Sequence, residues 1–236
     1  MKMTSRILTA TVCAATLGVA SAADITGKIT LKGTPPPAVE LPGVKDNPDC
    51  SRFHTVPAMT QHYIVGSGGE LANVVVALKG VPAKAGGESA TPAMMDQKNC
   101  LYTPQIQAIQ VNQKLLVKNS DPVLHNIHTL PSVKGNDEKN EGQAAKAPDK
   151  TFIFAKPEPF LKFKCDVHPW MFAWVSVFDH PYFAVTDKDG KFTIKDVPPG
   201  EYTIEARHRK AALDGVTQKI TVKDSGATAD FTLEVK

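Results

Sequence analysis

The chain has 236 residues, with 27 lysines and arginines against 24 aspartates and glutamates. This near balance argues against an extended basic surface and therefore against nucleic acid as a partner. The length exceeds one average domain, and a hydrophobic content of 42% is enough for one large or two modest cores. A wholly disordered chain is excluded by the same content.

Residues 1–22 have the composition of a secretory signal peptide. Lys2 and Arg6 precede an apolar stretch at residues 7–20, and a run of small residues provides an A-x-A cleavage site ending at Ala22. The apolar stretch is too short to cross a bilayer, and no later segment reaches the roughly 20 apolar residues that a membrane helix needs. We therefore expect a soluble periplasmic or secreted protein with no integral membrane segment after cleavage.

Short runs rich in Val, Ile, Thr and Phe, separated by Gly and Pro, predict an all-β fold. The runs lie at residues 25–31, 73–78, 105–118, 123–130, 151–154, 160–165, 172–178, 183–194, 201–206, 218–222 and 229–235. Asp189-Gly190 predicts a hairpin turn within the run at 183–194. Residues 81–97 are rich in Pro, Ala, Gly and Ser and predict a linker. The polar residues 132–150 predict an exposed, mobile loop.

One short run combines residue types that bind copper. His168 follows Cys165 by three residues and Met171 follows His168 by three, so a tight loop between two strands can bring their side chains together. A copper ion that exchanges electrons quickly needs a soft thiolate, two imidazoles and a weak thioether. The second imidazole has to come from another strand, where His125 and His128 are the candidates.

The run at residues 162–171 resembles the ligand loop of the cupredoxins, and its short spacing resembles the amicyanin type in particular. The upstream pair His125-Asn126 resembles the element that supplies the first imidazole in that family. The resemblance covers residues 98–180 and implies a Greek-key β-sandwich with the metal near one end.

The resemblance also implies a role for each matched residue. His125, Cys165, His168 and Met171 would bind one copper ion, Met171 as the weak axial ligand, and Asn126 would tie the two ligand-bearing loops together. The implied function is electron transfer by Cu(I)/Cu(II) cycling with an unidentified redox partner protein, and not an enzymatic activity.

Other readings of the same residues stay open. Zinc also binds thiolate and imidazole, although a structural zinc site would more often use a second Cys or His than a thioether. The ligands would also suit a copper-delivery protein without redox turnover. A third reading is an adhesion or carbohydrate-binding β-module in which the metal is structural.

Three cysteines remain after cleavage, and an odd number in an oxidising compartment needs an explanation. If Cys165 binds a metal, Cys50 and Cys100 are left to form a disulfide. Alternatively, Cys50 and His54 could bind a second metal ion.

The segment at residues 184–204 is similar to the carboxypeptidase regulatory-like domain, a small transthyretin-like β-sandwich. Residues 26–29 and 72–78, which precede the copper motifs, resemble the strands with which that domain usually begins. We therefore expect a discontinuous sandwich formed by residues 23–80 and 181–236, with the copper domain at 98–180 inserted after the linker. A tandem arrangement is the alternative. The resemblance does not imply peptidase activity.

Overall fold

The structure is a computed structural model that describes residues 21–236. The predicted signal peptide, residues 1–22, lies outside the described residues apart from its last two positions. The described chain is nearly all β, with two helices of five and four residues, so the predicted all-β class is confirmed. No helix within residues 21–236 is long and apolar enough to cross a membrane.

The strands follow one another closely after residue 93. They are β1 (Ala23–Lys32), β2 (Val75–Lys79), β3 (Ala93–Lys98), β4 (Leu101–Thr103), β5 (Ile106–Gln110), β6 (Leu115–Asn119), β7 (His125–Leu130), β8 (Lys139–Gln143), β9 (Lys150–Phe152), β10 (Glu158–Lys164), β11 (Phe172–Phe178), β12 (Phe183–Val185), β13 (Lys191–Val197), β14 (Gly200–His208), β15 (Ala212–Val222), β16 (Ala227–Thr228) and β17 (Phe231–Glu234). The helices are α1 (Pro42–Asp46) and α2 (Pro48–Ser51), and a 3-10 turn covers Gly87–Ser89.

The first sandwich joins strands from both ends of the described chain. One sheet has the order β13-β1-β16, with β17 also paired to β1, and the other has the order β12-β2-β14-β15. Alternate residues of β1, including Ile25 and Ile29, are buried in one apolar cluster with Val76 and Ile204 from the second sheet. This strand pairing supports the proposal that residues 23–80 and 181–236 form one discontinuous unit.

The second sandwich is built from strands β3 to β11. Its sheets have the orders β5-β11-β10-β7-β8 and β4-β3-β6-β9. Strand β10 alternates as a half-buried strand should, with Leu161 and Phe163 in the core and Lys162 exposed. The Phe163 ring meets that of Phe152 edge to face at 5.7 Å, which joins the two sheets.

Three local predictions differ from the structure. The predicted linker ends before residue 93, because β3 pairs with β4 and β6. The predicted mobile loop at 132–150 contains β8, which pairs with β7 along five residues, and the start of β9. The turn of the predicted hairpin at 183–194 is present, but its two strands do not pair with each other. Strand β12 pairs with β2, and β13 pairs with β1 in the other sheet.

A strap at residues 41–53, which includes both helices, is fixed to the second sandwich. Cys50 and Cys100 form a disulfide that ties α2 to the turn between β3 and β4. Trp170 packs closely over Gly43, where a Cβ would lie 2.2 Å from the indole ring, and its Nε1 donates to the Cys100 carbonyl at 3.0 Å. The strap therefore covers the loop that contains the candidate copper ligands.

Candidate metal centre

The loop between β10 and β11 carries three of the four predicted ligands. The backbone N–H of Cys165 donates to the carbonyl of Met171 at 3.1 Å, and the N–H of Met171 donates to the carbonyl of His168 at 2.9 Å. These two bonds close the loop into a tight turn. The turn therefore places the side chains of Cys165 and His168 close together, with Sγ 3.7 Å from Nδ1.

His125, at the start of β7, lies beside these two side chains. Its Nδ1 lies 2.9 Å from Nδ1 of His168, and the Sγ of Cys165 lies 3.7 Å from the same His168 nitrogen. All three donor atoms lie within 4.8 Å of one another. The two imidazole rings meet edge to face, with their centroids 4.7 Å apart.

The site is closed to solvent. His125 and Met171 are 0% exposed, Cys165 is 1% exposed and His168 is 4% exposed. Met171 belongs to the same apolar cluster as Cys165, inside the second sandwich. The strap covers His168, since one donor nitrogen of that ring lies within 4.8 Å of both disulfide sulfurs. Burial of this kind keeps water away from a bound ion.

Asp121 fixes the orientation of His125. The His125 Nε2 lies 2.9 Å from Oδ2 of Asp121, which also accepts from the Cys100 N–H at 2.7 Å, while Oδ1 accepts from the Asn99 N–H at 2.6 Å. Burial opposes ionisation of Asp121, but the hydrogen bonds from His125 and the two backbone N–H groups outweigh it and lower its pKa. Burial lowers the pKa of His125, but the hydrogen bonds with Asp121 and Cys165 outweigh it and raise that pKa. Once the ring gives up its proton to a metal, the carboxylate at Nε2 leaves Nδ1 as the acceptor, facing His168.

The electrostatics favour a thiolate beside the imidazoles. Burial disfavours the charged form of Cys165, yet hydrogen bonds from His125 and the backbone N–H of Asn126 outweigh it and lower the pKa of the thiol. Burial and the charge on His125 lower the pKa of His168, which favours the neutral form of that ring. Thiolate and neutral imidazole are the protonation states that a transition metal binds.

Asn126 connects the two chain segments that carry the donors. Its Oδ1 accepts from the backbone N–H groups of Asp166 at 2.7 Å and Val167 at 3.2 Å, and lies 3.3 Å from Sγ of Cys165. Its Nδ2 donates to Oδ2 of Asp166 at 3.1 Å. The side chain thus joins β7 to the loop after β10.

His128 lies outside the donor cluster, on the same face of β7 as Asn126. Its ring lies between two carboxylates, with Nδ1 at 2.8 Å from Asp166 and Nε2 at 2.7 Å from Glu138. The alternative metal site at Cys50 and His54 is wrong, because Cys50 is in the disulfide and Nε2 of His54 lies 2.8 Å from the Asn99 carbonyl.

The donor set fits one transition-metal ion. The Nδ1 atoms of His125 and His168 face each other at 2.9 Å, and when each ring carries its proton on Nε2, both Nδ1 atoms are acceptors that can bind one cation. With the Cys165 sulfur beside them, the combination of one soft thiolate and two imidazoles suits copper and also zinc.

A family model for the second β-sandwich domain of BOS complex subunit NOMO1-like proteins matches residues 182–236. The match covers strands β12 to β17 and agrees with a β-sandwich at this end of the chain. It is a different family from the carboxypeptidase regulatory-like domain, so that resemblance stays a hypothesis. The comparison with curated protein sequences finds no relative.

Solved structures that resemble this chain include copper proteins. A purple cupredoxin from Nitrosopumilus maritimus has 21% identity and a TM-score of 0.30, over 36% of this chain and 98% of that one. A point mutant of amicyanin in the Cu(I) state has 14% identity and a TM-score of 0.33, over 43% of this chain and 97% of that one. A copper-containing nitrite reductase from Thermus scotoductus has 19% identity and a TM-score of 0.34, over 43% of this chain. The chain spans only 25% of the nitrite reductase. Likenesses at these levels carry no functional argument.

Proposed function

We propose that this chain is an exported, mononuclear copper protein that transfers electrons to or from a separate redox partner and catalyses no reaction itself. The ligands would be His125, Cys165 and His168, with Met171 as a weak fourth ligand. The observation that supports this proposal is the buried convergence of two imidazole nitrogens and one thiol sulfur. Bound copper would supply a one-electron Cu(I)/Cu(II) couple.

The residues around the donors support a rigid site. Asp121 orients His125, Asn126 fixes the loop that carries Cys165, and the strap excludes water from His168. A site whose geometry is held by the protein changes little between oxidation states, which favours fast electron transfer. Copper delivery requires ready ligand exchange, and a fully buried donor set beneath a disulfide-fixed strap favours a resident ion instead.

Metal binding by a matched pair of variants tests the ligand assignment. His125 and His128 lie three residues apart on β7, but only His125 faces the donor cluster. In a Cu(II) titration of residues 23–236, we expect one ion per chain, at least a roughly tenfold loss of affinity in His125→Gln, and parent affinity in His128→Gln. Equal affinities for the parent and His125→Gln would overturn the proposal.

A further inference from the structure

A cleft between the two sandwiches carries an excess of positive charge. We name it the basic cleft, and it is lined by His62, Lys162, Trp174, Arg209 and Lys210, with a cavity volume of about 180 Å³. Lys162 and Trp174 are paired neighbours on β10 and β11, while Arg209 and Lys210 form the turn between β14 and β15. Both sandwiches therefore contribute cationic side chains to one small cavity.

The cations of the basic cleft lack acidic partners. Within residues 21–236, no carboxylate lines the cleft, and Lys162, Arg209 and Lys210 form no ion pair. Burial lowers the pKa of His62, and the charges of Lys210 and Arg209 lower it further. This is the effect expected where like charges crowd without compensation.

The remaining lining suits a small ligand with one charged end. The Cζ atom of the Arg209 guanidinium lies over the Trp174 ring, 4.5 Å from its centre, which is within the range of a cation–π interaction. Gln61, Asn73 and Gln105 also line the cavity and add neutral polar residues with amide groups to it. The cavity therefore combines cations, amide donors and an aromatic surface.

We propose that the basic cleft binds a small oxyanion, a carboxylate or a phosphate, through the side chains of Arg209 and Lys210. An anion there would neutralise cations that the protein itself leaves unpaired, and charge-assisted hydrogen bonds to guanidinium and ammonium groups are among the strongest available. Lys162, Lys210 and His62 are exposed, so the cleft is open to a ligand from solution. The site is separate from the candidate copper donors and does not depend on copper.

Calorimetric titration of the copper-free protein, residues 23–236, with inorganic phosphate and with benzoate tests this site at low ionic strength, where screening is weak. We expect saturable binding of one anion per chain. Phosphate preference would identify a tetrahedral ligand, and benzoate preference a planar carboxylate beside Trp174. The absence of saturable heat with both anions would overturn the proposal.

Two lysine variants separate a built site from general electrostatic attraction. Lys210 and Lys223 are both exposed, but only Lys210 lines the cleft. Lys210→Gln should weaken binding roughly tenfold, and Lys223→Gln should leave it unchanged. Equal effects of the two substitutions would contradict the proposal.

Arg209→Gln should weaken binding at least as much as Lys210→Gln, and a thermal melt checks that the Arg209→Gln variant is folded. Because the titration uses no copper, its failure would leave the copper proposal intact.

Discussion

Asp121 Oδ2 lies 2.9 Å from Nε2 of His125, and both side chains are buried. The carboxylate holds the ring so that Nδ1 faces His168 and Cys165. It also places a negative charge one imidazole away from the proposed copper ion, where it would stabilise Cu(II) relative to Cu(I).

Asp121→Asn should therefore raise the reduction potential of the copper-loaded protein. The amide can accept at only one of its two terminal atoms, so it cannot satisfy His125, the Asn99 N–H and the Cys100 N–H together. We expect Cu(II) affinity to fall roughly 10- to 100-fold. Potentiometric titration and metal competition measure the two effects. An unchanged potential with unchanged affinity would show that Asp121 acts on the fold alone.

Asn126→Ala should destabilise the protein even without metal. The substitution leaves the N–H groups of Asp166 and Val167 without their acceptor, which costs about 2 to 3 kcal/mol in the free energy of unfolding. Asn140→Ala is the matched control, because Asn140 contacts the side chains of Asp166, Asn126 and His128 but no backbone N–H of this loop. Urea unfolding compares them, and equal losses for both variants would contradict the loop-fixing role of Asn126.

The disulfide should contribute substantially to the stability of the copper-free protein. It closes a segment with a sequence separation of 50 residues, and its removal in the double variant Cys50→Ser/Cys100→Ser should cost about 4 kcal/mol on the chain-entropy model. The same variant should let a small reagent reach Cys165 faster, since the strap is no longer fixed. Denaturant unfolding and the rate of thiol modification check both effects. Parent values for the two measurements would show that the strap is held by packing alone.

His208 should make the protein less stable in mild acid. Burial, with the charge of Arg209 in addition, lowers the pKa of His208 to about 4. An unfolded histidine titrates near 6.5, so the unfolded chain binds the extra proton first. The contribution of His208 to the free energy of unfolding is complete above about pH 6.5. It is lost as the pH falls toward 4, and the loss is at most about 3 kcal/mol.

His208→Asn should reduce that pH dependence. The Nδ1 of His208 accepts from the backbone N–H groups of Lys210 and Ala211, and Oδ1 of an asparagine can accept in the same place. Urea unfolding at pH 7 and pH 4.5 should show a smaller loss of free energy in the variant than in the parent. Identical losses would mean that His208 is not the titrating group.

The proximity of the donors could be predicted from the sequence because spacing alone constrains it. The spacing of three positions from Cys165 to His168 leaves few possible loop conformations once strands precede and follow the loop, and the His125-Asn126 pair identified the second strand. The second sandwich likewise followed from the alternation of apolar residues, for example at Leu161 and Phe163 on β10.

Long-range partners could not be predicted in the same way. Asp121 has the sequence context of an ordinary turn, Asn119-Ser120-Asp121-Pro122, and only the fold shows that its carboxylate meets His125. Its position four residues before the His-Asn pair was the one available signal. Strand β8 was missed because its residues are polar, and it is stabilised by antiparallel backbone pairing with β7 rather than by apolar burial.

A redox titration of the copper-loaded protein, followed by visible absorption, tests the central claim most directly. The account predicts an intense thiolate-to-copper band for residues 23–236 that disappears on reduction with ascorbate, returns on reoxidation, and is absent in Cys165→Ser. A colourless complex, or a band of equal intensity in Cys165→Ser, would contradict it.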